Sequence, residues 1–175
     1  MKETFLVQVD TNDNPVGLVE KMKAHREGIL HRAFSVFIFN RKGEWLLQQR
    51  AAGKYHSANL WTNACCGHPG NGEQTLEAAR TRLNFEMGMD CELRHLFEFT
   101  YKANFKNGLV EHEYDHVFLG ICEFDPLPNP DEVSDWKWIS TGELRMEMAS
   151  AEDRFTAWFK LIFERVNDMA EKRMA

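Results

Sequence analysis

Apolar and polar positions along this chain fall into patterns that separate strands from helices. Residues 4–9 and 16–20 flank Asn12-Asp13-Asn14-Pro15, a spacing that predicts a hairpin. AFSVFIFN (33–40), the Arg41-Lys42-Gly43 turn and EWLLQQR (44–50) predict a second, stronger one. Leu76, Ala79, Leu83 and Met87 recur at helical spacing, so a helix is expected over 74–88 with Gly88 as its stop. Long strands follow around 93–103 and 109–124, separated by Asn107-Gly108. DPLPNPDE (125–132) reads as a loop and WKWIS (136–140) as another strand. Ser140 and Glu143 have capping-box spacing for a short helix. The segment 151–172 puts Phe155, Trp158, Phe159, Ile162, Val166 and Met169 on one stripe, the mark of an amphipathic helix packed on the body.

This order predicts a single α/β domain over residues 1–175, its core at about 30–165, with a largely antiparallel or mixed sheet flanked by helices. It lacks the regular βαβ alternation of a dinucleotide-binding fold. The formal charge of −6 excludes a general nucleic-acid binder, because affinity for the phosphate backbone comes mainly from Lys and Arg. An anionic small substrate would need a local cluster of cations. MKETFLVQVD contains no long apolar stretch, so neither a signal peptide nor a membrane span is expected. The four cysteines have no C-x-x-C spacing and read as reduced thiols of a cytoplasmic protein. Cys91 and Cys122 are expected to be buried strand residues.

Several polar residues fit a scaffold poorly. In LVEHEYDHVF (109–118) strand alternation sends Glu111 and Glu113 to one face and His112 to the other. Two carboxylates about 7 Å apart on one strand face repel unless they are solvated or share a cation, and the apolar flanks favour a cation. His25, His31 and His68 would complete a nitrogen and oxygen set suited to Mn²⁺, Zn²⁺ or Mg²⁺. Arg82 and Glu86 are i,i+4 neighbours, either a surface ion pair or an Arg and a metal-binding Glu aimed at one phosphate, with Ala78 and Ala79 leaving room for a ligand. TNACCGHPGNGE (62–73) packs two thiols, an imidazole and a helix start into twelve positions.

Gly67 to Met89 keeps the frame of the Nudix box, G-x5-E-x7-R-E-U-x-E-E-x-G-U, with Thr81, Arg82 and Phe85 where the box has Arg, Glu and Glu. With two of three metal-holding carboxylates replaced, pyrophosphate hydrolysis is not expected. TNACCGHP, EHE and this altered box together resemble type I isopentenyl diphosphate isomerase, of the Nudix superfamily, from about Glu20-Lys21 to Trp158. The resemblance implies a Nudix-type sheet core and the interconversion of isopentenyl and dimethylallyl diphosphate. It implies Cys66 as the catalytic thiol, Glu113 as the second acid-base residue and Tyr101 as an aid to proton transfer. It further implies His25, His31, His68, Glu111 and Glu113 as divalent-metal ligands, and Glu86 as a ligand of the Mg²⁺ that accompanies the diphosphate. Lys21, Arg50, Lys54 and Arg82 match positions that contact the diphosphate, and Trp158 an active-site tryptophan.

Cys65, next to Cys66 on an extended backbone, should point the opposite way. The expected partner is a small-molecule diphosphate, with no nucleic acid and no membrane, handled by a monomer or weak homodimer. The terminal helix is a candidate lid, although most of its aromatics read as core. Two rivals are a Nudix hydrolase of another diphosphate, disfavoured by Thr81, Arg82 and Phe85, and a non-catalytic Nudix-like binding module, disfavoured by Cys66 and Glu113.

Overall fold

In the computed structural model, which describes residues 4–174, the strands are β1 (Phe5–Val9), β2 (Pro15–Glu20), β3 (His31–Phe39), β4 (Trp45–Arg50), β5 (Trp61–Thr62), β6 (Cys65–Gly67), β7 (Leu93–Asn104), β8 (Val110–Ile121) and β9 (Val133–Ile139). The helices are α1 (Lys21–Glu27), α2 (Thr75–Met87), α3 (Thr141–Ser150) and α4 (Ala157–Met174). All nine strands join one mixed sheet, and β3 organises it. One edge of β3 pairs in parallel with β8 along its whole length, from His31 opposite Glu113 to Phe39 opposite Ile121. The other edge is divided among β1 at His31, β6 at Phe34–Val36 and β4 at Ile38–Phe39.

The expected second hairpin is therefore real but only two rungs long. Strand β4 pairs with β9 along its whole length, and beyond Leu46 its other edge leaves β3 for β5, which opens the edge that β6 fills. Local turn signals cannot reveal this, because β6 is three residues long and its partner lies some thirty residues earlier. The first hairpin forms as expected, with Asp13 at φ 64° in its turn.

Side-chain alternation on β3 feeds two cores. Phe34, Val36 and Ile38 pack with Ala79, Leu83 and Met87 of α2. Phe37 and Phe39, with Trp45, pack with Phe159, Phe163 and Val166 of α4. Each fully buried side chain of this size contributes about 1.5–3 kcal/mol, so β3 is fixed from both sides. Ala78 and Ala79 belong to the α2 core and bring the helix close to the sheet, and Ala78 also lines a cleft with Phe34, His68, Thr81, Arg82 and Phe85.

Several boundaries differ from the sequence reading. Helix α1 was not expected, because KMKAHRE offers only Met22 and Ala24 to an apolar face. It is held at its ends: Glu20 accepts from the Met22 and Lys23 amides (2.8 and 2.7 Å), and Gly28 closes it at φ 64°. The terminal helix begins six residues later than expected, after a 3-10 turn at Glu152–Arg154 and a bridge between Trp61 and Phe155. Strand β8 stops at Ile121, short of 124. Cys91 and Cys122 lie just outside the ends of β7 and β8, and Cys91 is only half-buried. The Ser140–Glu143 capping box is formed in both directions.

Candidate active site

Strand β8 sets the chemistry. Glu111, Glu113 and Asp115 share one face with Val117 and Leu119, and all five are buried. The stripe thus passes from carboxylates to core within one strand. Histidines approach the first two carboxylates from three elements: His25 from α1, His31 from β3 and His68 from the turn after β6. His25 Nε2 lies 3.3 Å from Glu111 Oε1, and His68 Nε2 lies 2.9 Å from Glu113 Oε1. His31 Nε2 stands 3.6 Å from the same Glu113 oxygen. Ligand atoms of His25, His31, His68 and Glu111 all fall within 4.8 Å of one another.

The tautomers define what this group needs. His25 Nδ1 lies 2.7 Å from the Lys21 carbonyl and His31 Nδ1 lies 2.8 Å from that of Ile29. Each carbonyl takes the Nδ1 hydrogen and leaves a lone pair on Nε2 facing a carboxylate. Buried lone pairs opposed in this way require a proton or a cation between them. His31 Nε2 and Glu111 Oε2 have no hydrogen-bond partner at all. The donor set therefore fits a divalent metal.

The vicinal cysteines part as strand geometry demands. Cys65 pairs with Val36 and is sealed in the α2 core, whereas Cys66 pairs with Ser35 and reaches the opposite face. Gly67, opposite Phe34, has no room for a side chain: a Cβ there would come within 2.7 Å of the Phe34 ring. Around the Cys66 sulfur stand Asn63 Nδ2 at 3.2 Å, Asn63 Oδ1 at 3.4 Å and Ser35 Oγ at 3.5 Å. Burial pushes the Cys66 thiol up to about 12, the Asp115 carboxylate adding to the effect, so it rests as S–H. Tyr101 donates to Glu113 Oε2 at 2.7 Å; burial first, then Glu113, holds its hydroxyl well above the usual phenol range.

Cations gather at the mouth. Lys21, Arg50, Lys54 and Arg82 line the same cleft as Cys66, His68, Glu86, Tyr101, Glu111, Glu113 and Trp158. Arg82 Nε donates to Glu86 Oε1 at 2.6 Å and its Nη2 to Glu132 Oε2 at 2.7 Å. Lys54 also pairs with Glu132. Arg50 lies over the Trp158 ring, 5.4 Å from its centroid. The structure thus brings every expected site residue to one cleft, with His25 and His31 behind it as fully buried partners of the two glutamates. Trp158 is the aromatic of α4 that lines it, while Phe159, Ile162 and Phe163 are core.

Several residues around the cleft escaped the sequence reading. His56 Nε2 lies 2.5 Å from Glu111 Oε1, a fourth histidine in the group. Tyr55 places its hydroxyl 3.3 Å from His25 Nε2 and its ring under Lys21. KYHSAN (54–59) has no periodicity to draw attention to either. Ser35 and Asp115 sit on strands whose apolar flanks hide them; only the third acidic residue in EHEYD, in phase with Glu111 and Glu113, marks the position. A second group, His95, Glu98 and His116, lies on the outer face of β7 and β8, with His95 Nε2 3.0 Å from Glu98 and His116 Nε2 2.9 Å from Asp13.

Residues 29–159 match the NUDIX domain family. A Deinococcus radiodurans protein of known structure superposes at a TM-score of 0.76 over 92% of this chain and 98% of its own, at 20% identity, and so shares the fold. Isopentenyl-diphosphate Delta-isomerase 2 of Photorhabdus laumondii is 52% identical over 160 residues, 91% of this chain and 90% of that protein. The isopentenyl-diphosphate Delta-isomerase of Pectobacterium atrosepticum is 49% identical over 168 residues, covering 96% and 94%. The chain belongs to the type I isopentenyl-diphosphate Delta-isomerases of the Nudix superfamily.

Proposed function

We propose that this chain interconverts isopentenyl and dimethylallyl diphosphate by proton addition and removal, with Cys66 and Glu113 as the two acid-base groups. The observation that carries this reading is one cleft holding a protonated thiol, a Tyr101-bound carboxylate and four cations. The reaction adds a proton to the terminal alkene carbon and removes one from the methylene next to the double bond. The state between has tertiary carbocation character, and each tenfold in rate needs about 1.4 kcal/mol of preferential stabilisation of that state. Cys66 and Glu113 enter the cleft from strands on the two edges of β3, which suits one group for donation and the other for removal. Tyr101 orients Glu113, and the Trp158 indole offers a π face to developing positive charge.

His25, His31, His68, Glu111 and Glu113 would hold one divalent ion, Mn²⁺, Zn²⁺ or Mg²⁺, with His56 beside it. When bound, the ion supplies the charge that neutralises the two buried glutamates and biases the protonation of Glu113. Glu86 would hold a Mg²⁺ that arrives with the diphosphate, while Lys21, Arg50, Lys54 and Arg82 bind its oxygens. Phe85 and Arg82 occupy the positions of two box carboxylates, and Arg82 stacks over the Phe85 ring; this supports isomerisation over hydrolysis. Four free thiols support a reducing, cytoplasmic setting. Among the described residues no helix is long and apolar enough to cross a membrane.

Incubation with isopentenyl diphosphate and a divalent metal should give dimethylallyl diphosphate and no inorganic phosphate. Released phosphate would mean a hydrolase, and binding without either product a non-catalytic module. Arg82→Ala should raise KM about tenfold or more with a smaller loss in kcat, as expected for a lost charge-assisted phosphate contact. Unchanged KM with a large fall in melting temperature would make Arg82 a structural partner of Glu86 and Glu132 instead.

A further inference from the structure

Asp115 is the buried polar residue of β8 that the proposed chemistry does not use. It is 1% exposed, its Oδ1 has no partner, and it lies outside the metal-ligand group. A buried acid without full hydrogen bonding is costly to keep. The next position on the same face is Val117, so an apolar residue would fit this layer. Its one partner is Ser35, whose hydroxyl donates to Asp115 Oδ2 at 2.7 Å. Ser35 in turn is the strand partner of Cys66.

The hydrogen bonds around the thiol leave it one uncrowded acceptor. Asn63 Oδ1 accepts from Thr62 Oγ1 at 2.8 Å and from Trp158 Nε1 at 3.2 Å, which occupies both its lone pairs. The Asn63 amide hydrogens are divided among the Val36 and Cys65 carbonyls, at 3.1 and 2.8 Å, and the Cys66 sulfur. Two acceptors lie within reach of the thiol hydrogen: Asn63 Oδ1 at 3.4 Å, already crowded by the Thr62 and Trp158 donors, and Ser35 Oγ at 3.5 Å, which has a lone pair free. Ser35 accepts because its own hydrogen is committed to Asp115.

We infer that Asp115 and Ser35 form a buried positioning pair for Cys66: the carboxylate fixes the Ser35 hydroxyl as an acceptor, and the hydroxyl fixes the direction of the thiol hydrogen. Neither residue touches substrate. The pair sets the geometry from which the thiol donates its proton and to which it returns. This inference rests on the acid-base role of Cys66 proposed above.

Ser35→Ala should lower kcat about tenfold while KM and metal content stay near the parent values, with some fall in melting temperature because Asp115 is left without a partner. Ser35→Thr, which keeps the hydroxyl, should recover most of the rate. Asp115→Asn keeps an acceptor oxygen for Ser35 and should retain more activity than Asp115→Ala. The Ser35→Ala/Asp115→Ala double variant should lose no more than Ser35→Ala alone, because the two act in series. Multiplicative losses, or a parent-like kcat in Ser35→Ala, overturn the pair. Cys66→Ala assayed alongside separates the two levels: if it still isomerises, the reading of Cys66 falls and the pair with it. If it is inactive, a parent-like Ser35→Ala removes the pair alone.

Discussion

Cys66→Ala should lose isomerisation by about 10²–10⁴-fold in kcat, the usual contribution of a positioned acid-base group, with little change in KM. Cys65→Ser should remain within a few-fold of the parent. The contrast follows from strand alternation: Cys65 is sealed against α2 while the Cys66 thiol faces the cleft. Cys66→Ser tests the chemistry more narrowly. A serine hydroxyl is a far weaker acid than a thiol and should leave at most a trace of activity. Cys65→Ser carries a stability cost, because it puts a hydroxyl into an apolar layer among Val36, Leu83 and Met87. An electrophilic analogue of the substrate should label Cys66, and peptide mapping that finds the label on Cys65 would overturn the assignment.

Removing the divalent metal should have the second largest effect, on stability as well as on turnover. Without a cation the Nε2 lone pairs of His25 and His31 face buried carboxylates, and repulsion is relieved only by protons. A metal at a hundred times its Kd stabilises the fold by about 2.7 kcal/mol, which in a domain of this size raises Tm by about 5–10 °C. Exhaustive chelation should therefore abolish isomerisation and lower Tm by several degrees, and one equivalent of Mn²⁺ or Zn²⁺ should restore Tm without substrate. His68→Ala should bind that ion more weakly and keep the Tm of the stripped parent. If His68→Ala matches the parent in metal content and turnover, the ligand assignment is wrong. A Tm indifferent to metal would also refute it.

Strand and helix period made part of this site legible, while the roles of Cys66, Tyr101, Trp158, Lys21, Arg50 and Lys54 came only from the resemblance of separated motifs to a known family. Glu111 and Glu113 were legible from the alternation of β8, and the divergence of Cys65 from Cys66 from the same rule. The α2 pair Arg82–Glu86 was legible from helical spacing. What one strand cannot reveal is its neighbour. The parallel pairing of β3 with β8, which sets His31 beside Glu113, joins segments some eighty residues apart, and no local turn announces it. Helix α1 stayed hidden because its stability lies in its Glu20 and Gly28 caps and in the burial of His25. Tyr55 and His56 stayed hidden in an irregular loop. Glu132, which joins Lys54 to Arg82, lies in a segment whose prolines marked only a loop.

The glycine after the two cysteines has a consequence for fidelity of folding. Strand β6 is three residues long, and so short a ladder resists sliding only weakly. A slip of one residue would turn Cys65 toward the cleft and bury Cys66, leaving a well-formed sheet with the wrong sulfur presented. The Phe34 ring prevents this, because it tolerates only a residue without a Cβ across from it. Displacement in one direction would drive Cys66 into the ring, and in the other His68. Gly67 is therefore a key cut for one position of the lock, and it indexes the reactive thiol from the far side of the sheet.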